Sequence, residues 1–311
     1  MYPKPLLKWV GGKTQILDKI SKKIPESINN YYEMFLGGGS VLFAILQLKK
    51  NGVIQIEGKL CAFDLNRSLI TFYNTIQKHH HSFYNEIVKL ITEYQSLENE
   101  CEEINRNPTT LTEAKMCKEN YYYWIRKKFN DLNKSNSDFE DKVVNINLSV
   151  LFLFLNKTCF RGLYREGPNG YNVPFGHYKN PEIINKEHLE EIHILIQEVE
   201  FKCCDFEFSM LCDFEQNDFV YLDPPYAPEN ASSFVKYTGE GFQLEKHQTL
   251  FTYCHCFSEQ NVKFLMHNAD VDLVVKRFSK HEFNIDTISC KRTINSKNPD
   301  SKTNEVMIMN Y

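Results

Sequence analysis

Short apolar runs alternate with longer amphipathic stretches along the chain, and their order predicts a mixed α/β protein. The apolar runs have the length and composition of buried strands, and they cover residues 31–35, 60–63, 218–222 and 262–267. A glycine-rich turn and a helix at 41–50 follow the first run. Strand, turn and helix in this order indicate a doubly wound, Rossmann-like sheet.

The middle of the chain has a different pattern. Stretches 69–105 and 114–133 have helical periodicity, and Asn107-Pro108-Thr109-Thr110 separates them. Stretch 143–156 is more apolar and predicts a buried helix. We therefore expect an inserted helical domain, with one domain formed by 1–70 plus 175–311 and the insert by 71–174.

A segment rich in arginine and aromatic residues, about 158–176, follows these helices. It contains the turn sequence Gly167-Pro168-Asn169-Gly170, which predicts a β-hairpin. Arg161 and Arg165 flank Gly162-Leu163-Tyr164, and such side chains can read a DNA groove. An ordinary connecting hairpin is the alternative interpretation.

The motif Asp223-Pro224-Pro225-Tyr226 directly follows the apolar run 218–222. Two consecutive prolines cannot continue a sheet ladder, so the chain leaves the sheet at the edge where α/β proteins bind ligands. A carboxylate and a freed carbonyl can accept hydrogen bonds from an aromatic amine while the Tyr226 ring stacks on its base. The alternative is a plain strand exit with a surface aspartate.

Two glycine segments predict close backbone approach to a ligand. Lys8-Trp9-Val10-Gly11-Gly12-Lys13-Thr14 lacks the first glycine of a phosphate loop, because Leu7 occupies that position. Leu36-Gly37-Gly38-Gly39-Ser40 opens a helix, but Leu42 replaces the third glycine of a dinucleotide fingerprint, which disfavours a dehydrogenase. Asp64 ends the second strand, where such folds hold a ribose diol.

Composition narrows the class of protein. The 311 residues are 42% hydrophobic. The net charge of −4 and the pI near 6.2, taken for the whole chain, argue against binding to nucleic acid. However, six lysines precede residue 24, so a phosphate-facing surface is retained as a hypothesis. The chain has no apolar stretch of signal-peptide or membrane-spanning length, which favours a soluble, cytoplasmic protein. The ten cysteines lack zinc-site spacing, so we expect free thiols, and we assign His79-His80-His81 to a solvated helix face.

From residue 7 to 311, this combination of motifs resembles the DNA adenine-N6 methyltransferases, specifically the Dam-like group. The residues that support the resemblance are Lys8–Lys13, Phe35–Ser40, Asp64, the segment 156–179, Asp223–Tyr226 and the tail from Arg292. One departure is Arg161, which stands where close relatives have an asparagine.

The resemblance implies a role for each matching residue. Those expected to hold S-adenosylmethionine, the methyl donor that leaves as S-adenosylhomocysteine, are Trp9, Gly12, Lys13, Phe35, Gly37, Gly39, Ser40, Asp64 and Asp223. Those expected to contact double-stranded DNA are Lys8, Phe160, Arg161, Leu163, Arg165, Asn172 and Arg292. Catalysis is assigned to Asp223, Pro224, Pro225 and Tyr226, with no metal and with a flap at 234–242 beside the site.

The implied activity is methylation of N6 of a flipped-out adenine in a short palindromic site. GATC is the first expectation and CATG the second, because Leu163 and Arg165 are in register with GATC readers. The alternatives are an RNA adenine methylase, a protein-glutamine methylase or a non-catalytic DNA-binding relative. We expect a monomer of bacterial, phage or large-virus origin, with a restriction endonuclease as a possible partner.

Overall fold

The computed structural model describes residues 2–135, 141–228, 242–291 and 302–311. The chain divides into two compact units. Unit 1 comprises residues 1–23, 37–50 and 66–201, and unit 2 comprises residues 24–36, 51–65 and 202–311. The domain boundaries expected from the sequence stay a prediction.

A seven-stranded, largely parallel sheet contains six strands of unit 2 and strand β7 (Val199–Cys203), which begins in unit 1 and ends in unit 2. Its strands in chain order are β2 (Tyr31–Glu33), β4 (Leu60–Asp64), β7 (Val199–Cys203), β8 (Phe219–Leu222), β9 (Lys263–Ala269), β10 (Asn284–Lys291) and β11 (Lys302–Met309). Their order across the sheet is β10-β11-β9-β8-β2-β4-β7. Strand β2 pairs in parallel with β4 and β8, and β8 with β9, whereas β11 runs antiparallel to β9 and β10. The predicted mixed α/β fold with a largely parallel sheet is confirmed.

The centre of this sheet is apolar because its middle strands are buried on both faces. All four residues of β8 and all three of β2 are buried. Such continuous burial selects the near-continuous apolar runs that made these strands recognisable in the sequence. Strand β7 was not predicted, since its residues alternate between buried and exposed and the run includes Glu200 and Lys202.

Short elements complete unit 2. Strands β1 (Ser27–Ile28) and β3 (Gln55–Ile56) pair in parallel, and helices α8 (Phe206–Ser209), α9 (Leu244–Glu259) and α10 (Asp272–Val275) belong to the same unit. The core cluster includes Met34, Phe63, Leu222, Phe251 and Phe264.

Unit 1 is mainly helical. Its helices are α1 (Leu17–Ser21), α2 (Ser40–Lys50), α3 (Arg67–Gln95), α4 (Leu111–Ala114), α5 (Lys118–Ser135), α6 (Lys142–Thr158) and α7 (Lys186–Leu195). Asn66 accepts a hydrogen bond from Leu69 N at the start of α3, and Asp141 accepts from Val143 N and Val144 N at the start of α6. The predicted helices are confirmed, although α3 ends ten residues before the predicted position.

The predicted hairpin is present in unit 1. Strands β5 (Glu166–Gly167) and β6 (Gly170–Tyr171) pair antiparallel around Pro168-Asn169, and Gly170 has φ 92°. A glycine tolerates this left-handed conformation without steric cost.

The cysteines differ in part from the expectation. Cys101 and Cys117 form a disulfide, so the prediction of free thiols throughout the chain is wrong for this pair. Seven other cysteines of the described residues are thiols outside any disulfide. No described helix combines the length and the apolarity that a bilayer span requires.

Candidate active site

Three carboxylates lie at the carboxyl ends of adjacent parallel strands in unit 2. Glu33 ends β2, Asp64 ends β4, and Asp223 follows β8. Glu33 pairs in register with Ala62 of β4 and with Tyr221 of β8. Asp64 comes two positions after Ala62, and Asp223 comes two positions after Tyr221. The parallel register therefore gathers acidic groups from three distant parts of the sequence.

Glu33 is the buried member of this cluster, with only 2% of its surface exposed. Burial raises the pKa of Glu33 to about 8, the hydrogen bond from Tyr31 opposes this shift, and the charges of Asp223 and Asp64 add to it. Tyr31 Oη donates to Glu33 Oε2 at 2.6 Å. At neutral pH the carboxyl of Glu33 is therefore largely protonated, whereas Asp64 and Asp223 beside it are half-buried.

The segment Asp223-Pro224-Pro225-Tyr226 is held from both sides after it leaves β8. Tyr226 Oη donates to Glu305 Oε2 at 2.9 Å, which orients the ring. The next residue, Ala227, donates its N–H to Asn268 Oδ1 at 3.0 Å, and Asn268 Oδ1 also accepts from Ala269 N at 2.9 Å. Asn268 is fully buried at the end of β9.

Glu305 and Asn268 were not identified as site residues from the sequence. The signal available for Asn268 was its position at the end of a predicted strand, and no comparable signal existed for Glu305. Both act on the segment through side chains of strands that are distant in sequence, so only the sheet order reveals them.

Phe35 lies among aromatic rings of unit 2. Its ring centroid is 5.6 Å from that of Phe206 and 5.8 Å from that of Phe242. Residues 234–241 of the predicted flap lie outside the described residues. Next to this cluster, Leu36 N donates to Phe63 O at 2.8 Å, so the chain enters the glycine segment from a fixed position.

In unit 1, the glycine segment packs against the amino-terminal segment. A Cβ atom at Gly38 would lie 2.8 Å from Cβ of Trp9, and one at Gly37 would lie 2.9 Å from Cδ1 of the same side chain. Gly37 and Gly39 have φ of 50° and 74°, which favours glycine at both positions. The structure therefore brings Trp9 directly onto the backbone of the glycine segment.

Lys13 and Ser40 join the two segments further. Lys13 N donates to Ser40 Oγ at 3.1 Å, and Lys13 Nζ donates to Gly11 O at 2.7 Å. The side chain of Lys13 is buried, whereas Gly12 is exposed. Five of the predicted cofactor residues, Trp9, Lys13, Gly37, Gly39 and Ser40, thus belong to one cluster in unit 1.

The predicted DNA-contacting residues of the described chain also lie in unit 1. Lys8 N donates to Asn156 Oδ1, and Asn156 Nδ2 donates to Lys8 O, both at 2.8 Å. A Cβ atom at Gly162 would lie 2.5 Å from Cβ of Lys8, so only glycine allows this contact. Arg161 has a left-handed φ of 57° and an exposed side chain. Lys8 is consequently held beside the loop that begins with Phe160 and Arg161.

The hairpin side chains are arranged around Arg165. Arg165 Nε donates to Asn172 Oδ1 at 2.6 Å, and both side chains are exposed. Phe160 is 44% exposed and Leu163 is half-buried. Arg292 lies outside the described residues.

Two further residues of this region were missed by sequence reasoning. Tyr164 stacks on Trp9, with ring centroids 5.7 Å apart. Burial, and then the neighbouring charge of Lys8, lower the pKa of Lys157 to about 8. A positive group that is held partly dehydrated in this way becomes more stable when an anion approaches.

Comparison with known proteins identifies the family. Residues 9–294 match the family model of the D12 class N6 adenine-specific DNA methyltransferases. The chain is 36% identical to the type II methyltransferase M.MjaIII of Methanocaldococcus jannaschii, with 100% of both chains covered. It is 30% identical to the type II methyltransferase M1.LlaDCHI of Lactococcus lactis, over 99% of this chain and 95% of that one. It is 29% identical to the DNA adenine methylase of Haemophilus influenzae, over 96% and 90%. The chain therefore belongs to the D12 class of N6 adenine-specific DNA methyltransferases.

Proposed function

We propose that this methyltransferase transfers a methyl group from S-adenosylmethionine to N6 of a flipped-out adenine in a short palindromic duplex site. GATC is the first candidate sequence and CATG the second. The observation that best supports the proposal is the cluster of Glu33, Asp64 and Asp223 at the ends of three parallel strands, followed by an aromatic ring oriented by Glu305.

The residues present fit this cofactor. S-adenosylmethionine supplies an electrophilic methyl group on a positively charged sulfur. An acidic cluster suits a cation, and Asp64 at a strand end has the acceptor oxygens that a ribose diol requires. Trp9 packs directly on the backbone of Gly37 and Gly38 and offers an aromatic surface beside the glycine segment. We assign cofactor binding to these residues together with Gly12, Lys13, Phe35, Gly39 and Ser40.

Asp223 has the central role in the proposed mechanism. The adenine N6 amine is a weak nucleophile because its lone pair is delocalised into the ring. Asp223 and the Pro224 carbonyl each accept a hydrogen bond from this amine, which favours a tetrahedral nitrogen with an available lone pair. Pro225 ends the sheet ladder there, and Tyr226 stacks on the base. Most of the acceleration then comes from positioning, with no covalent enzyme intermediate.

Recognition of DNA is assigned to unit 1. Arg165, oriented by Asn172, reads a base edge, and Leu163 contacts the same site. Lys8, Arg161 and the exposed Phe160 face the duplex, and Phe160 or Arg161 fills the space that the flipped base leaves. We also propose a doubly wound sheet with an inserted recognition domain at 71–174. The enzyme is proposed to be a monomer that uses no metal in catalysis. It is proposed to act on DNA inside the cell, with a restriction endonuclease as a possible partner.

The test is incubation with methyl-tritiated S-adenosylmethionine and unmethylated plasmid, followed by cleavage with nucleases that are blocked by methylation at GATC or at CATG. We expect labelled N6-methyladenine and protection of GATC sites. Asp223→Asn removes the negative charge of the carboxylate that accepts a hydrogen bond from the amine and should lower the rate at least about 100-fold. Glu57→Gln, at an exposed position of unit 2, is the control and should keep the wild-type rate.

The outcomes separate the parts of the proposal. If the DNA is labelled but its GATC sites are not protected, the proposed chemistry stands and GATC is rejected as the target sequence. The second digest then tests CATG. Label in a structured RNA but none in DNA would reject DNA as the substrate. A wild-type rate for Asp223→Asn would reject the proposed role of this carboxylate.

A further inference from the structure

A cluster of histidine and glutamate side chains lies between helices α3 and α7 of unit 1 and contains no residue assigned above to the cofactor, to catalysis or to DNA. His80 Nε2 is 3.2 Å from Glu190 Oε2, and His81 Nδ1 is 3.8 Å from Glu190 Oε1. The three groups can each offer one ligand atom, and these atoms all lie within 4.8 Å of one another. His193, one turn after Glu190, stacks on His80 with ring centroids 3.5 Å apart.

A local distortion of α3 produces this arrangement. In a regular α-helix, consecutive side chains diverge by about 100°, so two adjacent histidines cannot face the same carboxylate. His79 has φ −142° and ψ 27° inside the helix, which interrupts the regular path just before His80. As a result the rings of His80 and His81 have centroids only 3.9 Å apart.

The expectation that this triplet is a solvated helix face is therefore wrong in part. The His80 side chain is 11% exposed and that of Glu190 is 34% exposed, whereas that of His81 is 79% exposed. The cluster thus has a buried inner ligand and an open outer side. An open side allows an ion to enter and water to complete its coordination.

His193 packs against the inner histidine and is itself held by polar contacts. Its Nδ1 lies 2.9 Å from the carbonyl oxygen of Ile76 and 3.1 Å from Nε2 of Gln197. These contacts hold the His193 ring against His80 and limit the movement of the inner ligand.

We propose that His80, His81 and Glu190 bind one zinc ion, which links α3 to α7 and stabilises the helical unit. Zinc prefers imidazole nitrogen and carboxylate oxygen at about 2.0–2.2 Å, and a tetrahedral arrangement separates neighbouring ligand atoms by about 3.3 Å. His80 Nε2 lies 3.2 Å from Oε2 of Glu190 and His81 Nδ1 lies 3.8 Å from Oε1, so each imidazole approaches a different oxygen of the same carboxylate, and small side-chain rotations bring one oxygen and both nitrogens around an ion. Water occupies the fourth position. The site is structural and is independent of the methyl-transfer proposal.

The test is calorimetric titration of the full-length chain with zinc chloride, after removal of metal with a chelator and without an affinity tag. We expect one saturable site in the wild-type protein and a higher unfolding temperature in zinc than in chelator. Glu190→Gln and His81→Ala each remove one ligand, and each should weaken zinc binding at least about tenfold. His81→Ala changes an exposed side chain, so its folding is expected to be unaffected.

Matched controls come from the same helix. Glu191→Gln and His188→Ala alter a carboxylate and an imidazole on α7 outside the cluster, and both should bind zinc as the wild type does. Equal zinc affinity of the wild type, Glu190→Gln and His81→Ala would overturn the proposal and would place the ion elsewhere, such as on cysteine thiols. The absence of saturable binding in the wild type would overturn it as well, leaving only a His80–Glu190 ion pair.

Discussion

The buried carboxyl of Glu33 should make the protein less stable as the pH rises, and Glu33→Gln should remove this dependence. Burial raises the pKa of Glu33 from 4.5 to about 8 in the folded chain. Between these two values the folded state holds a proton that the unfolded state has released. The free energy of unfolding therefore falls with increasing pH in this window; the stabilising contribution of Glu33 is complete below the unfolded pKa and is lost as the pH rises to the folded pKa.

The magnitude follows from the width of the window. Each pH unit between the two pKa values costs about 1.4 kcal/mol of unfolding free energy. Between pH 5 and pH 7.5 the contribution of Glu33 amounts to about 3 kcal/mol, which is a large part of the stability of an ordinary domain. Glutamine keeps the oxygen that accepts from Tyr31 Oη and has no proton to release, so the variant should gain this amount relative to the wild type over the same interval.

Urea unfolding at pH 5, 6, 7 and 7.5 measures this difference for the wild type and Glu33→Gln. The exposed Glu57→Gln is the control, and its pH profile should run parallel to that of the wild type. Equal slopes for the wild type and Glu33→Gln would refute the argument, because they would mean that Glu33 titrates alike in the folded and unfolded chain.

Three further predictions concern positions around the site. Arg165→Ala should lose about 1–3 kcal/mol of discrimination at one base pair, measured as relative kcat/KM on single-substitution duplexes, whereas an equal loss on all duplexes would indicate a phosphate contact. Asn268→Ala leaves the buried N–H of Ala227 without its acceptor and should cost about 1–3 kcal/mol of stability by urea unfolding, whereas an unchanged free energy of unfolding would contradict this role. Gly38→Ala forces a Cβ into Trp9 and should weaken S-adenosylmethionine binding in calorimetry, while unchanged affinity would exclude this contact from the cofactor site.

Several features were predictable because their signals are local. Buried strands β2, β4 and β8 are short apolar runs, the turn at 167–170 has turn residues, and Asn107-Pro108 separates helical stretches. Capping residues such as Asn66 and Asp141 act within a few positions of themselves. By contrast, β7 has a charged, alternating pattern, and the Cys101–Cys117 disulfide depends on two chain segments meeting in space.

The candidate site likewise has a part that the sequence indicated and a part that it did not. The order of Lys8–Lys13, Phe35–Ser40, Asp64 and Asp223–Tyr226 indicated the family, and the comparisons confirmed it. The assigned roles of individual residues stay predictions. The partners of these residues, among them Asn268, Glu305 and Asn156, could not be recognised because each acts across 40 or more positions of sequence.

The sequence by itself determined the strand and helix pattern, the glycine segments and the Asp-Pro-Pro-Tyr motif, since these depend on backbone preference and on burial of neighbouring residues. Only the tertiary structure decided that Glu33 is buried beside Asp64 and Asp223, that Trp9 packs on Gly37 and Gly38, and that two histidines face Glu190. The physical reason is that burial and charge coupling depend on distances in space. Those distances are set by sheet order and by helix packing, which no local pattern of residues specifies.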